Sequence, residues 1–198
     1  MKKGELQRAK IIDIAIGQIA EKGIAATSFQ KIADTLGISQ SGVFHYFKNK
    51  TELFLGVLES ILERRTELIN QLITPTDDSI GRIRKHCQAS LTWLIDRPSE
   101  AKIILYLYQQ SSTNSVVLPF GEKVILNGRN RLEDLIVEGQ AEGSISPKVD
   151  AKLWGRLLHE FLTGSLMQTI CLYENCLLPK EVQEFDIRLN ELLDCLKA

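Results

Sequence analysis

The sequence predicts an all-α protein of about nine helices: an N-terminal three-helix unit carrying a helix-turn-helix, then a larger helical domain. Three observations carry that expectation. Apolar residues recur at three- and four-residue spacing in nearly every segment. No apolar–polar alternation outlasts a few residues. Glycines and prolines fall where helices need to stop or start. The 198 residues are 44% hydrophobic and 25% charged, with only five prolines, which excludes a disordered or collagen-like chain.

Helix one is expected from about Glu5 to Lys22. Ile12, Ala15, Ile16, Ile19 and Ala20 form its apolar stripe, and Gly23 supplies the stop. Helix two follows a Thr27-Ser28 cap and ends at Gly37. A short third helix covers about Gln40 to Phe47, and a fourth follows the Lys48-Asn49-Lys50 turn to about Ile73, closed by Thr74-Pro75. Beyond a linker to Ser79, helices are expected over Ile80 to Asp96 and Ser99 to about Ser112. Pro119 lies near the first turn of a helix reaching Glu142, with Gly143 as its stop. Pro147 opens one to about Asn175, and Pro179 opens the last, ending near Lys197. The domain boundary is expected close to residue 50, giving residues 1–50 and 51–198.

Charge supports that division. Residues 1 to 52 carry eight Lys/Arg against five Asp/Glu, whereas the whole chain has a net charge of -1. The first segment therefore suits a polyanion better than the remainder does. No apolar run approaches the roughly 18 residues needed to span a bilayer. Glu5, Gln7, Arg8, Lys10 and Asp13 interrupt any secretory signal behind Lys2 and Lys3. A cytoplasmic protein with no membrane partner is expected, its four cysteines (Cys87, Cys171, Cys176, Cys195) reduced.

The informative stretch is Phe29 to Lys48. Two short helices crossing steeply need a small residue at the crossing, a residue tolerant of a left-handed turn, and a branched apolar side chain pointing back. Ala33, Gly37 and Val43 meet these demands in register, and Ile32, Leu36, Ile38 and Phe47 complete a small core. The other face of the second short helix offers Ser39, Gln40, Ser41, Gly42, Phe44, His45 and Tyr46. Small polar residues at a helix N-terminus can enter a major groove roughly 12 Å wide. Gln40 can pair with an adenine edge, and Phe44 can lie on a thymine methyl. Ser28, Ser41, Tyr46 and Lys50 suit phosphate oxygens. The alternative is an ordinary helical corner with a solvated face.

The run Thr27-Ser28-Phe29-Gln30-Lys31-Ile32-Ala33-Asp34-Thr35-Leu36-Gly37-Ile38-Ser39, followed by Val43-Phe44-His45-Tyr46-Phe47-Lys48-Asn49-Lys50-Thr51-Glu52-Leu53, resembles the DNA-binding domain of TetR-family transcriptional regulators. The match covers about residues 5 to 55; the remainder agrees only in length and helical pattern. The resemblance implies that Ser28 and Gln30 touch DNA from the second helix, and that Gln40, Ser41, Gly42, Phe44 and Tyr46 do so from the third. Lys50 would bind a phosphate. A hydroxylated residue is usual where Gly42 stands, and tyrosine where Phe44 stands.

In residues 51–198, the helix after Val149 carries Leu153, Leu157, Leu158, Phe161, Leu162, Ser165, Leu166 and Thr169, a wide apolar face, with Gly164 and Ser165 admitting a close neighbour. The last helix offers Val182, Phe185, Leu189, Leu192 and Leu196 as a packing seam. Two such helices from each of two chains would form a four-helix interface, where TetR-like proteins dimerise; alternatively, both stripes serve one chain's own core. Cys87, Trp93, Tyr106, Tyr108, Phe120, Trp154, His159, Phe161, Met167 and Tyr173 are candidates for an effector pocket, with ordinary core packing as the competing role of each.

No GxGxxG, P-loop, GxSxG or HExxH occurs, and no metal, cofactor or catalysis is expected. The sequence therefore reads as a homodimeric repressor of a palindromic double-stranded DNA operator, released by a small apolar or amphipathic effector. Two other readings compete: a non-catalytic helical ligand-binding or scaffold protein, and a thiol-based redox-sensing regulator using Cys171 and Cys176.

Overall fold

The computed structural model describes residues 3–74, 76–172 and 179–197. Those residues form nine helices: α1 Lys3–Ala26, α2 Phe29–Leu36, α3 Gln40–Tyr46, α4 Lys50–Leu72, α5 Ser79–Asp96, α6 Pro98–Ser111, α7 Leu118–Glu142, α8 Ala151–Leu172 and α9 Pro179–Asp194. The one β feature among them is an isolated antiparallel bridge between Ile145 and Lys197. The all-α expectation holds. Packing divides the chain into two compact units, Met1–Arg64 with Ser99–Gly121, and Arg65–Pro98 with Glu122–Ala198.

In the first unit, α1 contributes Ile11, Ile12, Ala15, Ile16 and Ile19 to the core; Phe29, Ile32 and Ala33 of α2 join them, with Val43 of α3 and Phe47 just after it. Leu53, Phe54, Val57, Leu58 and Ile61 of α4 are buried alongside. Gly23 does not end α1 as expected. It takes φ 73 and ψ 167, and helical structure resumes to Ala26 across the kink. Thr27 donates its hydroxyl to the Gly23 carbonyl at 3.1 Å, satisfying an acceptor that the kink frees. One buried acid, Glu100, meets Arg64 at 3.2 Å, and Arg64 also holds Asp13 at 2.6 Å.

The second unit is centred on α5, α7, α8 and α9. Ile80, Ile83, Cys87 and Leu91 pack with Leu132, Ile136, Leu158, Leu162, Phe185, Leu189, Leu193 and Leu196 in a single cluster. Pro147 does not open α8. The preceding residues form a turn in which Val149 N–H donates to the Ser146 carbonyl at 3.1 Å, and Gln140 donates to the carbonyls of Ser146 and Val149. The helix starts at Ala151, where Asp150 accepts from Leu153 N–H at 3.0 Å. A carboxylate cap outweighs an upstream proline because it satisfies an orphan amide outright.

α8 packs tightly on α7 at Gly155, where a Cβ would lie 2.8 Å from the Glu133 backbone nitrogen. At Gly164 a Cβ would meet nothing within 4 Å. The seam on α9 faces inward as well. Phe185, Leu189 and Leu196 are buried in this chain's own core, and Val182 and Leu192 pack half-buried against it. A seam of that spacing serves whichever helices lie opposite, and here they belong to the same chain.

Candidate nucleic-acid interface

The helix-turn-helix is organised by its caps. Ser28 adopts extended backbone before α2, and its hydroxyl oxygen accepts from Lys31 N–H at 3.3 Å. The Ser28 amide donates to the Gln18 side chain at 3.0 Å, tying the start of α2 to α1. At the other end Gly37 is left-handed (φ 65, ψ 32), Ile38 N–H reaches the Ala33 carbonyl at 3.0 Å, and Gly37 N–H reaches Asp34 at 3.2 Å. That pair of bonds is a Schellman closure, which reverses the chain within two residues. Ser39 then caps α3, accepting from Gly42 N–H at 3.2 Å while sharing a 2.8 Å hydrogen bond with Ser41.

These caps leave one face of α3 outward. Val43 is fully buried, and Phe47 nearly so, which fixes the rotation of the helix. Gln40, Ser41 and His45 are exposed, Gly42 and Tyr46 half-buried. Phe44 is 43% exposed, its ring tilted on that of Phe29 at 4.8 Å between centroids. The contact holds one side of Phe44 and leaves the other to solvent. His45 and Tyr46 meet edge to face at 5.2 Å. A Cβ at Gly42 would sit 3.5 Å from Ser39 Oγ, an ordinary contact.

The outer ends of the unit are equally defined. Gln30 is exposed and donates to Asp34 at 2.6 Å. Asn49 accepts from Glu52 N–H at 2.8 Å, and Glu52 accepts from Lys48 N–H at 2.7 Å, which fastens the turn into α4. Lys50, the first residue of α4, is exposed and donates Nζ to the Ala25 carbonyl. Ser28, Gln30, Ser39, Gln40, Ser41, Phe44, His45 and Lys50 thus all keep polar or apolar atoms reachable from solvent.

Sequence reasoning missed what holds Phe47. Gly56 of α4 lies against its ring: a Cβ there would be 2.7 Å from Phe47 Cε1 and 2.9 Å from an Arg8 guanidinium nitrogen. Arg8 itself stacks over the Phe47 ring at 5.2 Å. The available signal was a glycine within an otherwise strong helical pattern, which costs about 1 kcal/mol relative to alanine and asks for a reason.

Residues 11–57 match the family model of bacterial regulatory proteins of the tetR family. Over that segment the chain is similar to TetR-family regulators. It is 26% identical over 157 residues to the HTH-type transcriptional repressor KstR2 of Mycolicibacterium smegmatis, covering 78% of this chain and 75% of that one. It is likewise 26% identical to the probable acrEF/envCD operon repressor of Escherichia coli, over 72% of this chain and 66% of the relative. Among solved structures, a TetR transcription regulator from Haloarcula marismortui superposes with TM-score 0.83 at 22% identity, over 98% of this chain and all of that one. Two of these relatives are thus repressors and the third a transcription regulator.

The candidate pocket residues fall in both packing units. Tyr106, Tyr108 and Phe120 belong to the first and are half-buried; Tyr106 meets the Phe54 ring edge to face at 5.6 Å. Cys87, Trp93, Trp154, His159, Phe161 and Met167 belong to the second. Cys87 is buried in the core, and burial pushes its thiol up to about 12, a poor nucleophile. Arg65 lies over the Trp93 ring at 5.7 Å. Phe161 stacks on Phe185 at 5.4 Å, Trp154 is half-buried, and Met167 is exposed. Tyr173 and Cys176 lie outside the described residues. Of the other thiols, Cys171 and Cys195 are exposed. No helix among the described residues is long and apolar enough to cross a membrane.

Proposed function

We propose that this protein is a TetR-family repressor that binds a palindromic operator as a homodimer and is released by a small apolar or amphipathic effector. The observation that carries the DNA reading is the outward face of α3, with Gln40, Ser41 and Phe44 exposed behind a rotation fixed by Val43 and Phe47. In this reading Gln40 and Phe44 contact base edges. Ser28, Gln30, Ser39, Ser41, Gly42, His45, Tyr46 and Lys50 position the helix on phosphates and sugars. Ser28 and Ser39 accept a backbone N–H, and their hydroxyl hydrogens still donate. Residues 1–50 read DNA; residues 51–198 bind the effector and dimerise, and the protein works in the cytoplasm.

Dimerisation is supported by α8 rather than α9. Leu153 (52% exposed), Leu157, Met167 and Leu172 stand out from α8, with open space at Gly164 between them. One recognition helix reads only a few base pairs, and two set roughly 34–36 Å apart read a palindrome. An effector then acts through its different affinity for two separations of the reading helices.

Salt dependence tests the proposal. A dimer making about 6–10 phosphate contacts loses roughly 10³–10⁵ in operator affinity between 50 and 200 mM salt. A flat salt response would instead support a protein-binding helical module.

A further inference from the structure

Phe44 is the one large apolar side chain left exposed between residues 27 and 50. It lies one helical turn after Gln40 and three residues after Ser41, so the three share a face of α3. A phenyl ring in water is unfavourable, and it has neither donor nor acceptor with which to hold a phosphate. On DNA it therefore gains most from an apolar partner. The C5 methyl of thymine is the apolar group that a major groove displays.

Phe29, the first residue of α2, determines how that ring is held. Its own ring is 6% exposed and anchored in the core, and it meets the Phe44 ring at 4.8 Å between centroids, the planes tilted by 53°. Tilted aromatic pairs at this separation attract beyond what their buried area supplies. Buried Val43 and Phe47 already fix the rotation of α3, so the freedom left to Phe44 is that of its own side chain. A helix allows a long aromatic side chain two χ1 positions, and contact with Phe29 favours the one in which the rings meet.

A contact that served only packing would seat both rings in the core. Here one ring is anchored and the other stands in solvent on the face that carries Gln40 and Ser41. That is the arrangement an apolar groove contact needs. A side chain ordered before DNA arrives spends less of its contact energy on being immobilised, and its free side meets the base edge at one place only.

We propose that Phe29 is a positioning residue for base reading: by bracing Phe44, it commits the free side of that ring to the C5 methyl of one thymine in each half-site. The inference rests on the reading of α3 as the base-contacting helix. It adds the chemical group that Phe44 reads and the residue that orders Phe44 for the task.

The test uses the full chain and a duplex that it selects from a random oligonucleotide pool. Each thymine of one half-site is replaced in turn by deoxyuridine, which lacks only the methyl, and affinity is measured by fluorescence anisotropy at fixed salt. At one position the replacement should weaken binding roughly fourfold, the worth of burying one methyl-sized group. Phe44→Ala should bind thymine and deoxyuridine equally at that position and keep any preference at the others. Phe29→Leu should reduce the ratio to below about twofold, because the ring loses its aromatic brace. A merely structural role for Phe29 would weaken both duplexes alike and leave the ratio unchanged. Circular dichroism establishes that each variant folds. Should Phe29→Leu fail to fold, Phe29→Met is measured in its place, and failure of both overturns the positioning role. No methyl-sensitive thymine, a sensitivity that survives Phe44→Ala, or a folded Phe29 variant with the full ratio overturns the inference and leaves the DNA-binding reading standing. Selection of no duplex at all overturns that reading, and the inference with it.

Discussion

Gly37→Ala isolates the turn on which the reading helix depends. The glycine sits at φ 65 and ψ 32, a left-handed conformation that costs an L side chain about 1–2 kcal/mol. A Cβ there would meet nothing within 4 Å, so no steric term adds to the backbone term. Alanine also narrows the unfolded chain's freedom, which offsets about 0.4–1 kcal/mol of the loss. The net expectation is a destabilisation of about 1 kcal/mol, with Gly37→Asn smaller because asparagine tolerates this region. Urea unfolding of the full chain, monitored by far-UV circular dichroism, measures both variants against the parent. A loss above about 4 kcal/mol would reveal a contact that the geometry excludes, whatever its source. No loss, or asparagine costing more than alanine, would refute the left-handed turn as the source of the effect.

Other substitutions probe separate parts of the account. Gly56→Ala should destabilise by about 1–3 kcal/mol despite alanine's better helix propensity, because its Cβ would press on the buried Phe47 ring; a more stable variant in thermal unfolding refutes the close contact. Lys50→Ala should weaken binding to all DNA sequences alike and flatten the logarithmic salt slope by about one; an unchanged slope removes Lys50 from the phosphate contacts. The pKa of His86 and of His159 is lower folded than unfolded, so between their folded values and about 6.5 the unfolded chain binds more protons. Their contribution is therefore complete above pH about 6.5 and is lost as pH falls, by at most about 1.4 kcal/mol per pH unit for each histidine. His86→Phe should flatten the decline in urea midpoint between pH 7 and pH 5, and an undiminished decline contradicts the buried neutral ring.

The features legible in the sequence are those written over short spans. Ser28, Gly37 and Ser39 each act on residues within five positions, and their caps and turn stand where spacing put them. The all-α architecture was legible for the same reason, since a helix declares itself through a local period. What escaped depends on partners far along the chain. Gly56 acquires its meaning from Phe47 and Arg8, and the His86 ring is held neutral by burial and by Arg65, Arg131 and His159. The α9 seam shows the limit in another way. Its spacing declared an apolar stripe correctly, but not that Phe185 and Leu189 would face α5 of the same chain. At Pro147 a local signal was outweighed by another, the Asp150 carboxylate three residues on.

The most direct test of the central claim is the affinity of Gln40→Ala for the operator and for each of its single-base variants, at fixed salt. The account predicts that discrimination falls by about 1–3 kcal/mol at one base position in each half-site, with nonspecific binding nearly intact. A uniform loss across every sequence, or none at all, would contradict the assignment of the α3 face to reading bases.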